Sequence, residues 1–338
     1  MEDVKQAASR QRAMLLSLPN VVGVGVGFKE KGGEKTSRPA VVVMVRRKVP
    51  KSQLAPNHLV PEKVDGVPTD VVEVGDLKPL AAGAAPPGPR AAAELPDLPK
   101  RTSRVRPAPP GVSLGHYLVS AGTLGAIVYD PAGHPFILSN NHVLANSTTG
   151  HDRRAKRGDP VVQPGLADGG RATGQPNDII GTLERYIPIR PLHTNLVDAA
   201  LAKPKSAALV RDDILGLGPV TGVGKPRLGA LVRKSGRTTG VTIGTVEITE
   251  ATVRINYGDT PVSFADQIIL SPMSAPGDSG SLVVDEKNRA VGLLFAGSDR
   301  STVCSPITTV LEALKVGFVT RPKGVVGSAK AGAKTARA

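Results

Sequence analysis

No run of apolar side chains in this sequence is longer than about six residues, Ala40 to Val45, and Gly, Pro or Asp interrupts the chain at short intervals throughout. A membrane-spanning helix needs about 20 apolar residues, so none is encoded. The apolar runs that do occur alternate. Ala251, Val253, Ile255 and Tyr257 are interleaved with Thr252, Arg254 and Asn256, the pattern of a half-buried strand. Many such short runs between turn residues predict a sandwich or barrel. With 38 Gly, 30 Pro, no Trp and only 3% aromatic residues, a core here must be built from Val, Ile, Leu and Ala.

The 338 residues allow two or three domains. Residues 2–18 predict a short helix whose apolar stripe is Val4, Ala7, Ala8, Met14, Leu15 and Leu16, stopped by Pro19-Asn20. Val22, Val24, Val26 and Phe28 then alternate with Gly23, Gly25 and Gly27, which gives a strand with one bare face open to close packing. The glycine spacing is GxGxG rather than the GxGxxG of a dinucleotide loop, and Phe28 stands where the third glycine belongs, so the close-packing reading is preferred. Further apolar stretches at 40–45 and 67–74 complete a small α+β domain over residues 1–76. Residues 77–111, rich in Ala, Pro, Gly and basic residues, read as a semi-extended linker. Residues 112–320 carry the recurrent strands and a closing helix at 307–316, and residues 321–338 form a basic tail expected to be disordered.

The net charge of +14 raises the question of nucleic acid. Its position argues otherwise. Lys100, Arg101, Arg104 and Arg106 fall in the linker, Arg153, Arg154, Lys156 and Arg157 in a loop, and Arg321, Lys323, Lys330, Lys334 and Arg337 in the tail, with no interleaved aromatics for base stacking. They read as solvated charge that leaves room for a weak anionic partner. The single cysteine, Cys304, excludes an internal disulfide and reads as a small buried residue. The N-terminus lacks a signal-peptide core, and a cytoplasmic location is expected, with no membrane association. His58, His116, His134, His151 and His193 have no metal-ligand spacing, so neither metal nor cofactor is expected.

The most informative string is Gly277-Asp278-Ser279-Gly280-Ser281. A nucleophilic serine needs a base within hydrogen-bond reach, and the base needs a carboxylate to orient it. His142, in FILSNNHVLAN, lies where an apolar strand runs into a polar turn. Asp198, in NLVDAALAK, is an acid set in an apolar strand, which is costly without a partner. Each residue alone suits an ordinary turn or loop. In combination, SNNHVLA, VDAALA and PGDSGSLVV resemble the chymotrypsin-like (trypsin-fold) serine proteases, whose chain order is also His, Asp, Ser. VRKSGRTTGVTIGTV resembles the opening hairpin of the second barrel in bacterial members. VVGVGVGFK, VDGVPTDVVEVG, AGTLGAIV and GDPVVQPGLADGG are similar to bacterial trypsin-like proteins of the plant NARROW LEAF1 type.

This resemblance implies a mainly β fold, two antiparallel β-barrels with a small N-terminal α+β domain, and a serine endopeptidase acting on a protein or peptide substrate. It implies that Ser279 is the nucleophile, His142 the base and Asp198 its orienting acid. The amides of Gly277 and Ser279 would form the oxyanion hole, and Asp278 would support the turn through some internal group. Met273 falls at the base of the specificity pocket with Ala296 and Gly297 beside it, so cleavage after small or medium apolar residues is expected rather than after Lys or Arg. Phe295 falls where many members place a serine that supports the triad aspartate, and that contact must be missing or replaced. The alternative is a catalytically weak, protease-like assembly or binding module, and a homo-oligomer fits either reading. The linker, close to its own site, is expected to be self-cleaved somewhere between Leu77 and Leu98.

Overall fold

The computed structural model describes residues 1–32, 34–80, 98–174 and 177–318. Residues 81–97 of the expected linker and the whole basic tail lie outside the described residues.

The N-terminal unit is α1 (Glu2–Ser17), β1 (Val21–Lys31), β2 (Glu34–Val45), β3 (Lys63–Val64) and β4 (Val67–Glu73), followed by the two-residue β5 (Lys78–Pro79). Val4, Ala7, Ala8 and Leu15 of α1 are buried against Val24, Val26, Val41 and Val43, so the apolar stripe is real but narrower than the sequence implied. Met14, counted in that stripe, is 40% exposed.

The first barrel is a seven-stranded rolled sheet. It comprises β6 (Ser113–His116), β7 (Gly122–Thr123), β8 (Ala126–Tyr129), β9 (Pro135–Ser139), β10 (Pro160–Val162), β11 (Ile179–Tyr186) and β12 (Ala200–Pro204), with the one-turn helix α2 (Asn141–Leu144) after β9. Its interior is Leu114, Leu124, Ile137, Val161, Ile180 and Leu183 with smaller neighbours. The short strands β13 (Asp213–Ile214), β14 (Gly218–Pro219) and β15 (Gly222–Val223) lead across to the second barrel.

That barrel is β16 (Leu231–Gly236), β17 (Gly240–Tyr257), β18 (Thr260–Leu270), β19 (Leu282–Asp285), β20 (Arg289–Gly297) and β21 (Thr302–Pro306), ending in α3 (Ile307–Leu314). The pairings β16–β19, β19–β20, β20–β21, β21–β18, β18–β17 and β17–β16 return to the starting strand, so the six strands close. Closure leaves no open edge around the ring. Residues Ala126, Leu138 and Leu201 of the first barrel meet Leu282, Leu293 and the Val310 face of α3 in a shared apolar layer.

The N-terminal unit is not a separate body on a tether. β17 is 18 residues long. Its first part pairs with β16, whereas its second part pairs with β1 from Ile248 to Val253. The ladder with β18 shifts register around Glu250, a non-glycine residue at φ 52, and this bulge bends β17 out of the ring. The bare face foreseen for β1 is used here: a Cβ on Gly25 would lie 2.6 Å from Ile248 Cγ2. β1, β2, β4 and β3 thereby prolong the barrel sheet to twelve strands including β5 and β15.

Both described ends of the expected linker are also built in. β5 pairs antiparallel with β20, and Ala108 is buried in the first-barrel core. Arg101, expected to be solvated, is 5% exposed and donates to the Gly111 carbonyl and to Ser235 Oγ. Arg106 is half-buried against Gln163, and burial, with the neighbouring Arg104, lowers its pKa to about 10.

Candidate active site

β9 and β12 pair with Ala200 opposite Ser139, so Asp198 and His142 emerge side by side where the two strands end. The asparagines between strand and histidine hold this turn. Asn140 Nδ2 donates to the Asp198 carbonyl at 2.8 Å, and Asn141 Nδ2 donates to the carbonyls of Thr148 and Ile187. His142 Nδ1 lies 2.5 Å from Asp198 Oδ2, and the His142 amide donates to Oδ1 at 3.2 Å. Tyr257, at the end of β17, donates its hydroxyl to the same Oδ2 at 2.5 Å. Burial and the Asp198 charge push the Tyr257 pKa well above the ordinary phenol value, so the phenol remains a donor. His142 Nε2 is buried with no hydrogen-bond partner.

Ser279 sits between Gly277 at φ 101 and Gly280 at φ 93. A Cβ on Gly280 would lie 2.1 Å from Ser139 Oγ and 2.4 Å from the Thr123 carbonyl, so only glycine closes this turn. Asp278 is fully buried below it. Its Oδ1 accepts the amides of Thr238 and Thr239, and its Oδ2 accepts Thr239 Oγ1, the Ala275 amide and Lys234 Nζ, the last at 3.1 Å. Lys234 is the internal group that the turn requires. Burial by itself would raise the Asp278 pKa, but the Lys234 charge and the converging donors outweigh it and hold the carboxyl below its usual range. Burial depresses Lys234, with Asp278 opposing.

The triad positions are not all joined. Ser279 Oγ donates to the Phe295 carbonyl at 3.0 Å and accepts the Leu80 amide at 3.1 Å; it makes no hydrogen bond to His142 Nε2.

The cleft beside Ser279 holds the chain's own backbone. Pro79 pairs with Ala296 and Lys78 with Gly297. The Leu80 amide also donates to the Phe295 carbonyl at 3.3 Å, and the Leu80 carbonyl accepts the Gly277 amide at 2.6 Å. The Leu80 side chain is buried in one apolar cluster with Val232, Val246, Met273 and Leu294. A Cβ on Gly297 would come within 3.3 Å of Leu80 Cδ1. Of the expected pocket residues, Met273 shares this cluster, Gly297 borders Leu80 Cδ1, and Ala296 pairs with the preceding Pro79.

Residues 8–74 match the NARROW LEAF 1 N-terminal domain family. Over 308 residues the chain is 27% identical to Protein NARROW LEAF 1 of Oryza sativa subsp. japonica, which covers 82% of this chain and 51% of that protein. The chain is a trypsin-fold relative of NARROW LEAF 1. It spans about half the length of that curated protein. Among solved structures, Thermobifida fusca protease A is 21% identical, covering 63% of this chain and 100% of its own at a TM-score of 0.46. A Nocardiopsis protease is 18% identical, covering 62% of this chain and 98% of its own at 0.44.

Three residues of this NARROW LEAF 1 relative escape a reading by motif. Tyr257 supplies the donor to Asp198 that Phe295, at the expected serine position, cannot. Lys234 is hidden in a β-hairpin, where a lysine ordinarily signals solvent. Leu80 lies in a stretch that reads as linker. Nothing local marks Lys234 in the run VRKSG, where it is flanked by Arg233 and Ser235.

Proposed function

We propose that this chain is a serine endopeptidase cleaving after medium-sized apolar residues. The observation that carries the reading is a buried imidazole held by Asp198, with its far nitrogen unpartnered, beside a glycine amide that already donates to a peptide carbonyl. Ser279 rotates from the Phe295 carbonyl toward His142 Nε2 and gives up its proton there as Oγ attacks the substrate carbonyl carbon. The oxygen that becomes negative is met by the Gly277 amide, a donor of the kind worth about 100-fold to 1000-fold in rate. His142 passes the proton to the leaving amine as the C–N bond breaks. It then activates water, which adds to the acyl carbon and releases Ser279. Asp198, held in turn by Tyr257, fixes the tautomer and stabilises the imidazolium.

Reaction of the intact chain with a fluorophosphonate probe tests this directly. Labelling of the parent and its absence in Ser279→Ala is the expected result; equal labelling of both overturns the assignment. A second reading, a protease-like binding module, is favoured by one observation: Ser279 is engaged by Phe295 and Leu80 instead of His142. Under that reading neither protein labels, even when Leu80→Asp opens the cleft.

A further inference from the structure

Lys78–Leu80 lies along β20 as an extended segment. Its last residue makes the three contacts that a bond about to be cut requires on the acyl side. The Leu80 amide is tied to the Phe295 carbonyl, its side chain is buried in one apolar cluster with Met273 and Leu294, and its carbonyl oxygen is held at 2.6 Å by the amide of Gly277, two residues before Ser279. This is a commitment of backbone and side chain together, and among the described residues of the expected linker it is made at Leu80. Leu77, three residues earlier, is buried elsewhere, against Phe264 and Phe295, and its carbonyl is taken by the Asn256 amide. Of Leu77 and Leu80, only Leu80 has its carbonyl on the Gly277 amide and its own amide on Ser279 Oγ.

We propose that the chain is its own substrate and cuts the bond on the carboxyl side of Leu80, within one molecule. The inference rests on the endopeptidase reading above and adds the site of the first cut. Ser279 Oγ bonds to the Leu80 carbonyl carbon and the C–N bond to Ala81 breaks. The serine proton travels through His142 to the Ala81 nitrogen, which becomes a new amino terminus. Water then hydrolyses the ester, leaving Leu80 with a free carboxylate and Ser279 restored. The resting hydrogen bond from Ser279 to Phe295 must break before attack, so the cut is slow. The new C-terminus is still held by the β20 pairing and the pocket, so the cleft stays occupied after cleavage.

The test uses the full chain. Incubated alone, the parent should yield two fragments by intact mass, one ending at Leu80 and one beginning at Ala81. Ser279→Ala and His142→Ala should yield neither, while retaining the parent's circular dichroism. Because the reaction is internal, its first-order rate constant should hold within about twofold over about a hundredfold range of protein concentration. Leu80→Asp, which puts a charge in the apolar pocket, should abolish the cut there and raise the rate of fluorophosphonate labelling by about tenfold or more as the cleft empties. A parent that labels and cleaves an added leucyl peptide, yet stays intact after Leu80, overturns this inference while leaving the endopeptidase reading standing. A rate that climbs with concentration overturns the intramolecular route. If neither the parent nor Leu80→Asp labels, the endopeptidase reading fails and this inference with it.

Discussion

Asp198 is buried with three protein donors around it, the His142 ring, the His142 amide and the Tyr257 hydroxyl. Removing the phenol leaves a buried carboxylate one partner short. Tyr257→Phe should therefore lower the turnover of a leucyl peptide about tenfold, which corresponds to roughly 1.4 kcal/mol, with KM nearly unchanged because the ring still packs on Phe264. A fall in binding alone would remove Tyr257 from the Asp198 relay. Asp278 makes a prediction in pH. Its folded pKa lies below its unfolded value, so the stability it contributes is complete above the ordinary carboxylate range and drains away as pH falls through the folded value. The melting temperature of the parent should drop on acidification below about pH 4, and Asp278→Asn should flatten that limb. The variant should also cost about 3 kcal/mol at neutral pH, since it strands Lys234 without its counter-charge. A variant whose acid limb matches the parent would show that the carboxylate is not the group being titrated.

At the level of elements, β1 is the piece most easily misjudged. Its glycines and valines announce a strand with a bare face, and α1, β2, β4 and α3 are equally plain from periodicity. What the face meets was not legible, because Ile248 and Ala251 lie more than two hundred residues downstream and nothing local marks them as partners. The same holds for the site. His142, Asp198 and Ser279 stand in strings whose chemistry is local. Tyr257, Lys234 and Leu80 take their roles only from long-range pairing, and Leu80 sits in a stretch whose composition points to solvent. The junction itself can be tested. Gly25→Val must push its side chain into Ile248 and the Ala251 backbone, and should cost about 1 to 3 kcal/mol by chemical denaturation. An unchanged midpoint would mean that β1 and β17 are not in register. Deleting residues 1–76 uncovers Val253 and Ile248 along an unpaired strand edge, so the shortened chain should aggregate rather than persist as a monomeric barrel domain.

On the scale of the whole molecule, the sheet runs without a break from the β3 edge to the cleft strand β20. The stretch that joins the end of β4 to the pocket is pinned along its way. The Val74 amide donates to the Val45 carbonyl, Ser298 Oγ donates to the Val74 carbonyl, and Leu77 is held by Asn256. Insertion of one glycine after Gly75 should slide the following residues back by one and bring Pro79 to where Leu80 now sits. Proline has no N–H to offer the Phe295 carbonyl and cannot fill the pocket as leucine does, so probe labelling of Ser279 should rise. Labelling equal to the parent's would show that the spacing is not rigid. The pinned stretch behaves as a gauge. From Val74 the chain is paid out to a fixed length, and the residue that reaches Ser279 is selected by count, before its side chain is read at all.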